Sequence, residues 1–413
     1  MFSAILPVNR FYAKKLAGFK SPGGQAPRLA ELPFTTKAEI VADQEEHPPY
    51  GSNLTESVER YTRLHQTSGT STGRPLRWLD TPRSWEWMLE CWRHKFAFMR
   101  LAADERFFFP FSFGPFLGFW TGFEAAARAG YLCLPGGGMS TAARLRFLLE
   151  HQATVVCATP TYALHLAEAA RQEGLDLAGS SVRVLIVAGE PGGGIPATRK
   201  AIETAWGARV FDHYGMTEIG PVGIECRENP GGLHLVSEAC VAEVIDPQSG
   251  ESLPPDTPGE LVLTNLGRWG SPLIRYRTGD LVRIDPNPCP CGRSDIRLIG
   301  GILGRTDDMV YLRGNNLYPA AIEGVIRRFP EVVEFRVTID RSEALAGLRI
   351  EIEPRADAPA SVTERVARAI RDELMVRPDV TSVSPGTLPQ FEMKAKRTIH
   401  HGTHGKHGNK KEE

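Results

Sequence analysis

The sequence predicts an α/β chain. It has a large N-terminal domain with mixed and largely parallel sheets covered by helices plus a β-rich subdomain, and a small C-terminal α+β domain. Three observations predict it. Between residues 107 and 213, short apolar runs alternate with helical patterns, as a parallel sheet buried on both faces requires. After 214 the runs shorten and Pro and Gly fall between them, the texture of antiparallel strands joined by turns. After about 305, helices and longer alternating strands return for roughly 100 residues, an ordinary size for one domain. The expected division is 1–304, 305–399 and a disordered tail at 400–413, and a chain of 413 residues is too long for one simple core.

The elements follow in order. Residues 9–18 read as a surface helix, and 9–65 as irregular and helical, with loop signals at 21–24 and 47–51. A Gly/Ser/Thr-rich loop occupies 67–73. The stretch 84–101 reads as a helix with Ser84 as its N-cap, offering Trp85, Trp87, Leu89 and Trp92 to a buried face. Then come an apolar run at 107–111, a helix at 116–129, a strand at 131–134, a helix at 141–151 and a strand at 154–158. A helix at 162–174, a strand at 182–188, a helix at 195–206 and a strand at 210–213 complete the alternating part. The β region holds strands at 233–235, 239–245, 260–264 and 281–284. The last part holds helices at 319–328 and 362–376 and strands at 333–339, 346–354 and near 380–384. The tail from His400 carries four of the eleven histidines, which a disordered, solvated end accounts for.

Composition excludes several functions. Lys plus Arg is 48 and Asp plus Glu is 49, a net charge of -1, so there is no electrostatic reason to bind nucleic acid or an acidic membrane surface. Hydrophobic residues at 42% and charged at 23% belong to a folded chain. No apolar run approaches the roughly 20 residues of a membrane span. At the start, Arg10, Lys14 and Lys15 follow the apolar residues rather than precede them, the reverse of a secretory signal. No acidic residue occurs before Glu31, which fits a transit peptide, but a surface helix is the preferred reading. Of seven cysteines, Cys91, Cys133, Cys157 and Cys240 sit among apolar or small residues and read as buried thiols. No disulfide framework is implied, so a reducing cytoplasm is the expected location.

Four segments carry chemistry. Thr67, Ser68, Gly69, Thr70, Ser71, Thr72 and Gly73, followed by Arg74, form a hydroxyl- and glycine-rich loop whose N–H groups can cradle phosphate oxygens. It lacks the Gly-Lys-Ser/Thr ending of a Walker loop. Asp212, His213, Tyr214, Gly215, Met216, Thr217 and Glu218 follow a strand. Tyr214 offers a flat ring for a base, Thr217 a donor for phosphate, and Glu218 a hard oxygen for Mg²⁺. Arg275 to Asp280 places a carboxylate after a turn, where it can accept both ribose hydroxyls. Gly304 to Met309 lies at the composition boundary.

In this order, the segments resemble the adenylate-forming superfamily of acyl-CoA synthetases and adenylation domains, and most of all the phenylacetate–CoA ligase family. Leu32 to Lys37, His65, Ala188 to Pro191 and Arg313 to Pro319 extend the resemblance, which runs from about 30 to 397. It implies that the 67–75 loop holds the ATP phosphates. Gly189, Glu190 and Pro191, with Asp212, His213 and Tyr214, would form the adenine pocket. Thr217 would contact the α-phosphate, Glu218 the Mg²⁺, and Asp280 and Arg305 the ribose. Asp307 would be the hinge of a mobile C-terminal domain, and Lys394 the lysine that neutralises charge as the carboxylate attacks. Two departures stand out. Three residues separate Gly69 and Gly73 where the family commonly has two. Met393 stands beside Lys394 where glycine is usual, which makes Lys396 the alternative lysine.

Cys289 and Cys291 form a Cys-x-Cys-Gly knuckle, a common half of a tetrahedral zinc site. Cys226 and His234 are candidates for the other half, and some phenylacetate–CoA ligase relatives look similar here and hold a structural zinc. The zinc site is the preferred reading, and two free thiols on an exposed turn are the alternative.

The resemblance implies ATP-dependent activation of a carboxylic acid to an acyl-AMP, followed by thioester formation with CoA. The acid would be aryl or arylacetic. Phenylalanines between 107 and 123, with Trp120, fit an aromatic pocket and equally a core. The alternatives are transfer to a carrier protein's phosphopantetheine, an amine or nitrite, and a non-catalytic nucleotide-binding relative. The expected partners are the acid, ATP and CoA, with no nucleic acid or membrane, in a monomer or homodimer.

Overall fold

The computed structural model describes residues 5–19, 28–67, 75–306, 308, 310–312, 315–340, 347–391, 395 and 397–401. The chain divides into two units, Met1–Thr306 and Asp307–Glu413.

The first unit opens with α1 (Arg10–Leu16), where the Asn9 side chain accepts the Tyr12 N–H. α2 (Lys37–Glu46) begins with a reciprocal cap: Thr36 accepts from the Glu39 N–H, and the Glu39 carboxylate accepts from the Thr36 N–H. Such a cap is worth about 1 kcal/mol. β1 (Arg63–Gln66) and β2 (Arg77–Asp80) pair antiparallel. Their polar sequences, Arg-Leu-His-Gln and Arg-Trp-Leu-Asp, give no apolar run, so the hairpin is invisible to a periodicity reading.

α3 (Pro82–Met99) starts two residues before the expected cap, Ser84. Thr81 is the cap instead: its hydroxyl accepts the Ser84 N–H. Pro82 takes the first helical position, where a missing N–H leaves nothing unpaired.

The central sheet is then built from β3 (Arg106–Phe109), α4 (Trp120–Arg128), β4 (Leu132–Pro135), α5 (Thr141–Glu150), β5 (Val155–Ala158), α6 (Pro160–Gln172), β6 (Val184–Val187), α7 (Pro196–Trp206) and β7 (Arg209–Met216). These five strands pair parallel, in the order β4-β3-β5-β6-β7. Every residue of β5 and β6 is buried, as a sheet with helices on both faces demands. Leu145, Leu148, Tyr162, Leu166, Leu185, Ile202, Trp206 and Val210 belong to one core cluster. Burying one such side chain contributes roughly 1.5–3 kcal/mol. α4 begins later than the pattern predicted, because Gly118, at φ +41°, interrupts its expected first turn.

β8 (Gly220–Ile224), β9 (Gly232–Leu235) and a later strand extend the sheet antiparallel beyond β7. A second sheet of β10 (Cys240–Ile245), β11 (Gly259–Asn265), β12 (Tyr276–Val282) and a short strand follows. β13 (Arg297–Ile299) closes the central sheet against β9, and β14 (Gly304–Arg305) closes the second against β12. The expected strand at 281–284 therefore lies earlier.

The second unit holds the pair β15 (Val310–Leu312) and β16 (Asn315–Leu317). Then come α8 (Pro319–Ile326), β17 (Val332–Asp340), β18 (Gly347–Pro354), α9 (Val362–Leu374), β19 (Asp379–Ser382) and β20 (Thr398–His401). Its sheet order is β19-β18-β17-β20. Ile322, Ile326, Val337, Ile350, Ile352, Val366 and Ile370 form its core. β20 runs parallel to β17 and takes His400 and His401 into its pairing, while the rest of the expected tail, 402–413, lies outside the described residues. No helix among the described residues is long and apolar enough to cross a membrane.

Candidate functional site

The carboxyl end of β7 gathers three of the four chemical segments. Tyr214 donates its hydroxyl hydrogen to Asp280 Oδ2 at 2.6 Å, and the Arg305 guanidinium donates to Asp280 Oδ1 at 3.0 Å. Sixty-six residues of chain separate Tyr214 from Asp280, so folding of the second sheet is what joins them. Asp280 and Tyr214 are buried. Burial, then the Asp280 charge, pushes the Tyr214 phenol well above its ordinary value, so it stays a donor. Gly279 lets Arg305 reach. Its φ is +75°, and a Cβ there would stand 2.8 Å from the guanidinium.

A bulge between Tyr214 and Gly215 shifts the β7–β8 register, and the ladder ends at Met216. Gly215 is exposed and Met216 half-buried on the way to Thr217 and Glu218 in the connecting turn. Glu218 is buried, with Lys37 Nζ 3.6 Å from its carboxylate. Lys37 is the first residue of α2.

Along β7, alternation puts Asp212 on the face of Tyr214 and His213 on the opposite one. Asp212 lies against Gly193, where a Cβ would come within 2.6 Å of its carboxyl carbon. Enclosure pushes the Asp212 carboxyl up to about 7, and the Glu225 charge adds to this. Gly189, at φ +95°, and Pro191 are exposed, just before Gly193 in sequence. Glu190 serves the fold, its carboxylate accepting the Thr161 N–H at the start of α6.

His213 does not join Tyr214. Its Nδ1 lies 2.8 Å from the Gly223 carbonyl and 3.0 Å from Lys95 Nζ, and its ring packs 4.5 Å from Trp92. Lys95 is fully buried, and that burial pulls its ammonium well below its ordinary value. The phenylalanines expected as pocket or core are mostly core: Phe107, Phe108, Phe109, Phe111 and Phe119 are all buried.

Thr67 closes the base of its loop, its hydroxyl accepting the Leu76 N–H. Ser68, Gly69, Thr70, Ser71, Thr72, Gly73 and Arg74 lie outside the described residues, as do Asp307, Met393, Lys394 and Lys396. His65 is buried, its ring stacked 5.3 Å from Trp85.

Cys226, His234, Cys289 and Cys291 converge, all four ligand atoms lying within 4.8 Å of one another. Cys226 Sγ is 3.7 Å from Cys289 Sγ, and Cys291 Sγ is 3.6 Å from His234 Nε2. The edges of a tetrahedral sulfur/imidazole zinc site are about 3.6–3.8 Å. Burial pushes the Cys226 thiol up to about 12. Cys289 shifts the other way despite burial, because the Cys291 N–H and thiol hydrogen bonds favour its thiolate.

Sequence reasoning missed Arg268. Its fully buried guanidinium holds both carboxylate oxygens of Asp80, and it donates to the carbonyls of Thr217 and Glu218. A lone Arg in a Gly-rich loop carries no motif signal.

Residues 57–267 match the family model described as AMP-binding enzyme, and 314–401 that of the AMP-binding enzyme C-terminal domain. The chain is similar to the phenylacetate-coenzyme A ligase of Thermus thermophilus, 33% identical over 387 residues, covering 88% of this chain and 85% of that one. It is also similar to that of Pseudomonas putida, 30% identical over 381 residues, covering 89% and 83%. A crystal structure of 2-hydroxyisobutyryl-CoA ligase, in the postadenylation state with 2-HIB-AMP, superposes with a TM-score of 0.90 at 27% identity, covering 96% and 86%.

Proposed function

The chain belongs to the AMP-binding enzyme family, alongside the phenylacetate-coenzyme A ligases, and from that premise we propose how its residues divide the work of an acid–CoA ligase. It is an AMP-forming ligase that activates a carboxylic acid with ATP and passes the acyl group to CoA. In the first step a carboxylate oxygen bonds to the α-phosphorus, the bond to the bridging oxygen breaks, and pyrophosphate leaves. In the second the CoA sulfur bonds to the acyl carbon, its proton is lost, and AMP leaves with the carboxyl oxygen.

The observation that carries the assignment of residues is the convergence of Tyr214, Asp280 and Arg305 from three distant segments. Asp280, oriented by both neighbours, accepts from the ribose hydroxyls. Tyr214 stacks on the adenine, and Asp212 with the Gly189–Pro191 segment bounds it. Thr217 donates to the α-phosphate, and the hydroxyls and N–H groups of 67–73 hold the other phosphates. Glu218 is the ligand for Mg²⁺, which supplies positive charge to the phosphates when bound. Lys394 balances charge in the adenylation step. The acid is an aryl or arylacetic acid, in keeping with the phenylacetate ligases among the relatives.

Cys226, His234, Cys289 and Cys291 fit a zinc ion. The donors are soft or borderline, their spacing suits a tetrahedron, and four protein ligands leave no open position, which marks a structural site. Those four residues would tie the β8–β9 turn to the 289–291 knuckle. Cytoplasmic work in a reducing milieu suits these free thiols.

The test is acceptor choice together with one variant. Purified enzyme with ATP and an arylacetic acid should form the CoA thioester, and carrier protein, amine or nitrite should not compete. Lys394→Ala should lose acid-dependent pyrophosphate exchange while still binding ATP. Undiminished exchange removes Lys394 from its role, and preferred transfer to a carrier removes CoA from its own.

A further inference from the structure

Thr217 and Glu218 stand in a turn where β7 has left its ladder, so the ladder does not hold their carbonyls. Arg268 does. Its NH1 donates to Thr217 O at 2.5 Å and to Glu218 O at 3.0 Å. Its Nε and NH2 donate to Asp80 Oδ1 at 2.7 Å and Oδ2 at 2.6 Å, a bidentate fork that fixes the guanidinium plane. Both side chains have no exposure.

Asp80 is the last residue of β2, and β1–β2 is the hairpin whose connection includes the 67–73 loop. Asp80 pairs with Arg63 at the end of the hairpin away from that loop, so the Asp80–Arg268 pair ties the hairpin that carries the expected phosphate loop to the turn bearing Thr217 and Glu218. His65 does not compete for Asp80. Its Nδ1 is 3.9 Å away, too far for a hydrogen bond, and burial lowers its pKa to about 4, leaving it neutral. Trp78 covers the guanidinium, 5.5 Å from its ring centre.

A buried ion pair is weak evidence for stability, since apolar residues of the same volume often do as well or better. What apolar residues cannot do is hold two consecutive turn carbonyls at a set distance from a carboxylate on another element. Arg can, because its donors form a rigid fork.

We propose that Arg268, oriented by Asp80, is a positioning residue for adenylation: it sets the Glu218 carboxylate and the Thr217 hydroxyl relative to the phosphate hairpin. This rests on the proposed roles of Glu218 and Thr217. Magnesium and pyrophosphate take part only in the first step, so the two half-reactions should respond differently.

The test compares wild type, Arg268→Lys, Arg268→Met and Glu218→Gln. ATP affinity is measured by calorimetry with and without Mg²⁺, along with acid-dependent pyrophosphate exchange and thioester formation from synthetic acyl-AMP. In Arg268→Met the tightening of ATP by Mg²⁺ should shrink about tenfold and exchange should fall about a hundredfold, with transfer from acyl-AMP within about threefold of wild type. Arg268→Lys keeps the charge and loses the fork, and should fall between. If Arg268→Met does not fold, the double variant Asp80→Leu/Arg268→Met removes both buried charges and takes its place. Equal loss in both half-reactions, or unchanged Mg²⁺ dependence in the folded variant, overturns the proposal. Glu218→Gln separates the two layers. Normal Mg²⁺ dependence there means Glu218 is not the ligand, whereas loss there with none in the Arg268 variants refutes the positioning role alone.

Discussion

Two clusters hang from the antiparallel end of the central sheet, and they are built on opposite principles. Around Tyr214, the charges balance within the protein: Asp280 is held by Arg305, and Asp80 by Arg268. Around Cys226, four donor atoms face one another, all within 4.8 Å. The first arrangement is complete before any ligand arrives and only has to exchange partners for a ribose or a metal. The second brings together four donors suited to a cation that the chain would take from outside. α3 touches both: Lys95 reaches His213, next to Tyr214, and Phe98 packs 5.6 Å from His234. A preformed site should therefore lose function when cut and keep its fold, whereas a site that needs an ion should do the reverse.

The largest effect is expected at the preformed cluster. Asp280→Asn keeps the shape and removes the charge that Arg305 and Tyr214 face. Acid-dependent pyrophosphate exchange should fall about 10²–10³-fold, the range for a lost preorganised group, while the melting temperature stays close to wild type. A variant that unfolds instead would make Asp280 a fold residue and dissolve the contrast.

The Cys/His cluster should respond the other way. Cys291→Ser should lower bound zinc, read by elemental analysis, and destabilise the protein by about 2–4 kcal/mol, with exchange at low temperature changed less than by Asp280→Asn. Metal-free wild type of undiminished stability would contradict the zinc assignment.

Lys95 sharpens the contrast, because it is a buried amine with no carboxylate ion pair among the described residues. Its folded pKa is depressed, so the unfolded chain binds a proton that the folded chain does not. That difference makes stability rise with pH up to the unfolded value near 10.4, by about 1.4 kcal/mol per pH unit for one proton. Lys95→Met should raise unfolding free energy by about 1 kcal/mol at neutral pH and flatten this slope. Parallel pH profiles for the two proteins would show that Lys95 stays charged.

The smallest effect is expected away from both clusters. Thr36→Ala removes the α2 cap and should cost about 1 kcal/mol or less in denaturant unfolding. Since Lys37 begins α2 and approaches Glu218, a loss of exchange greater than the loss of stability would extend the preformed cluster to that helix.

How much of this the sequence shows depends on the kind of signal. The parallel half is legible because β5 and β6 are apolar along their whole length. The β1–β2 hairpin and β8 are not, because Arg-Leu-His-Gln and Gly-Pro-Val-Gly-Ile carry neither alternation nor an apolar run. Tyr214, Asp280 and the four zinc-site candidates stand out as motif residues, and their meeting in space requires folding. Arg268, Asp80 and Lys95 carry no pattern at all, and their importance comes from burial and partners that only the fold creates.

The most direct measurement is ATP–pyrophosphate exchange with a panel of carboxylic acids, followed by addition of CoA. The account predicts exchange that depends on an aryl or arylacetic acid, and conversion of the accumulated acyl-AMP to a CoA thioester with release of AMP. Tight ATP binding with no exchange for any acid would contradict it and leave a nucleotide-binding protein without the ligase reaction.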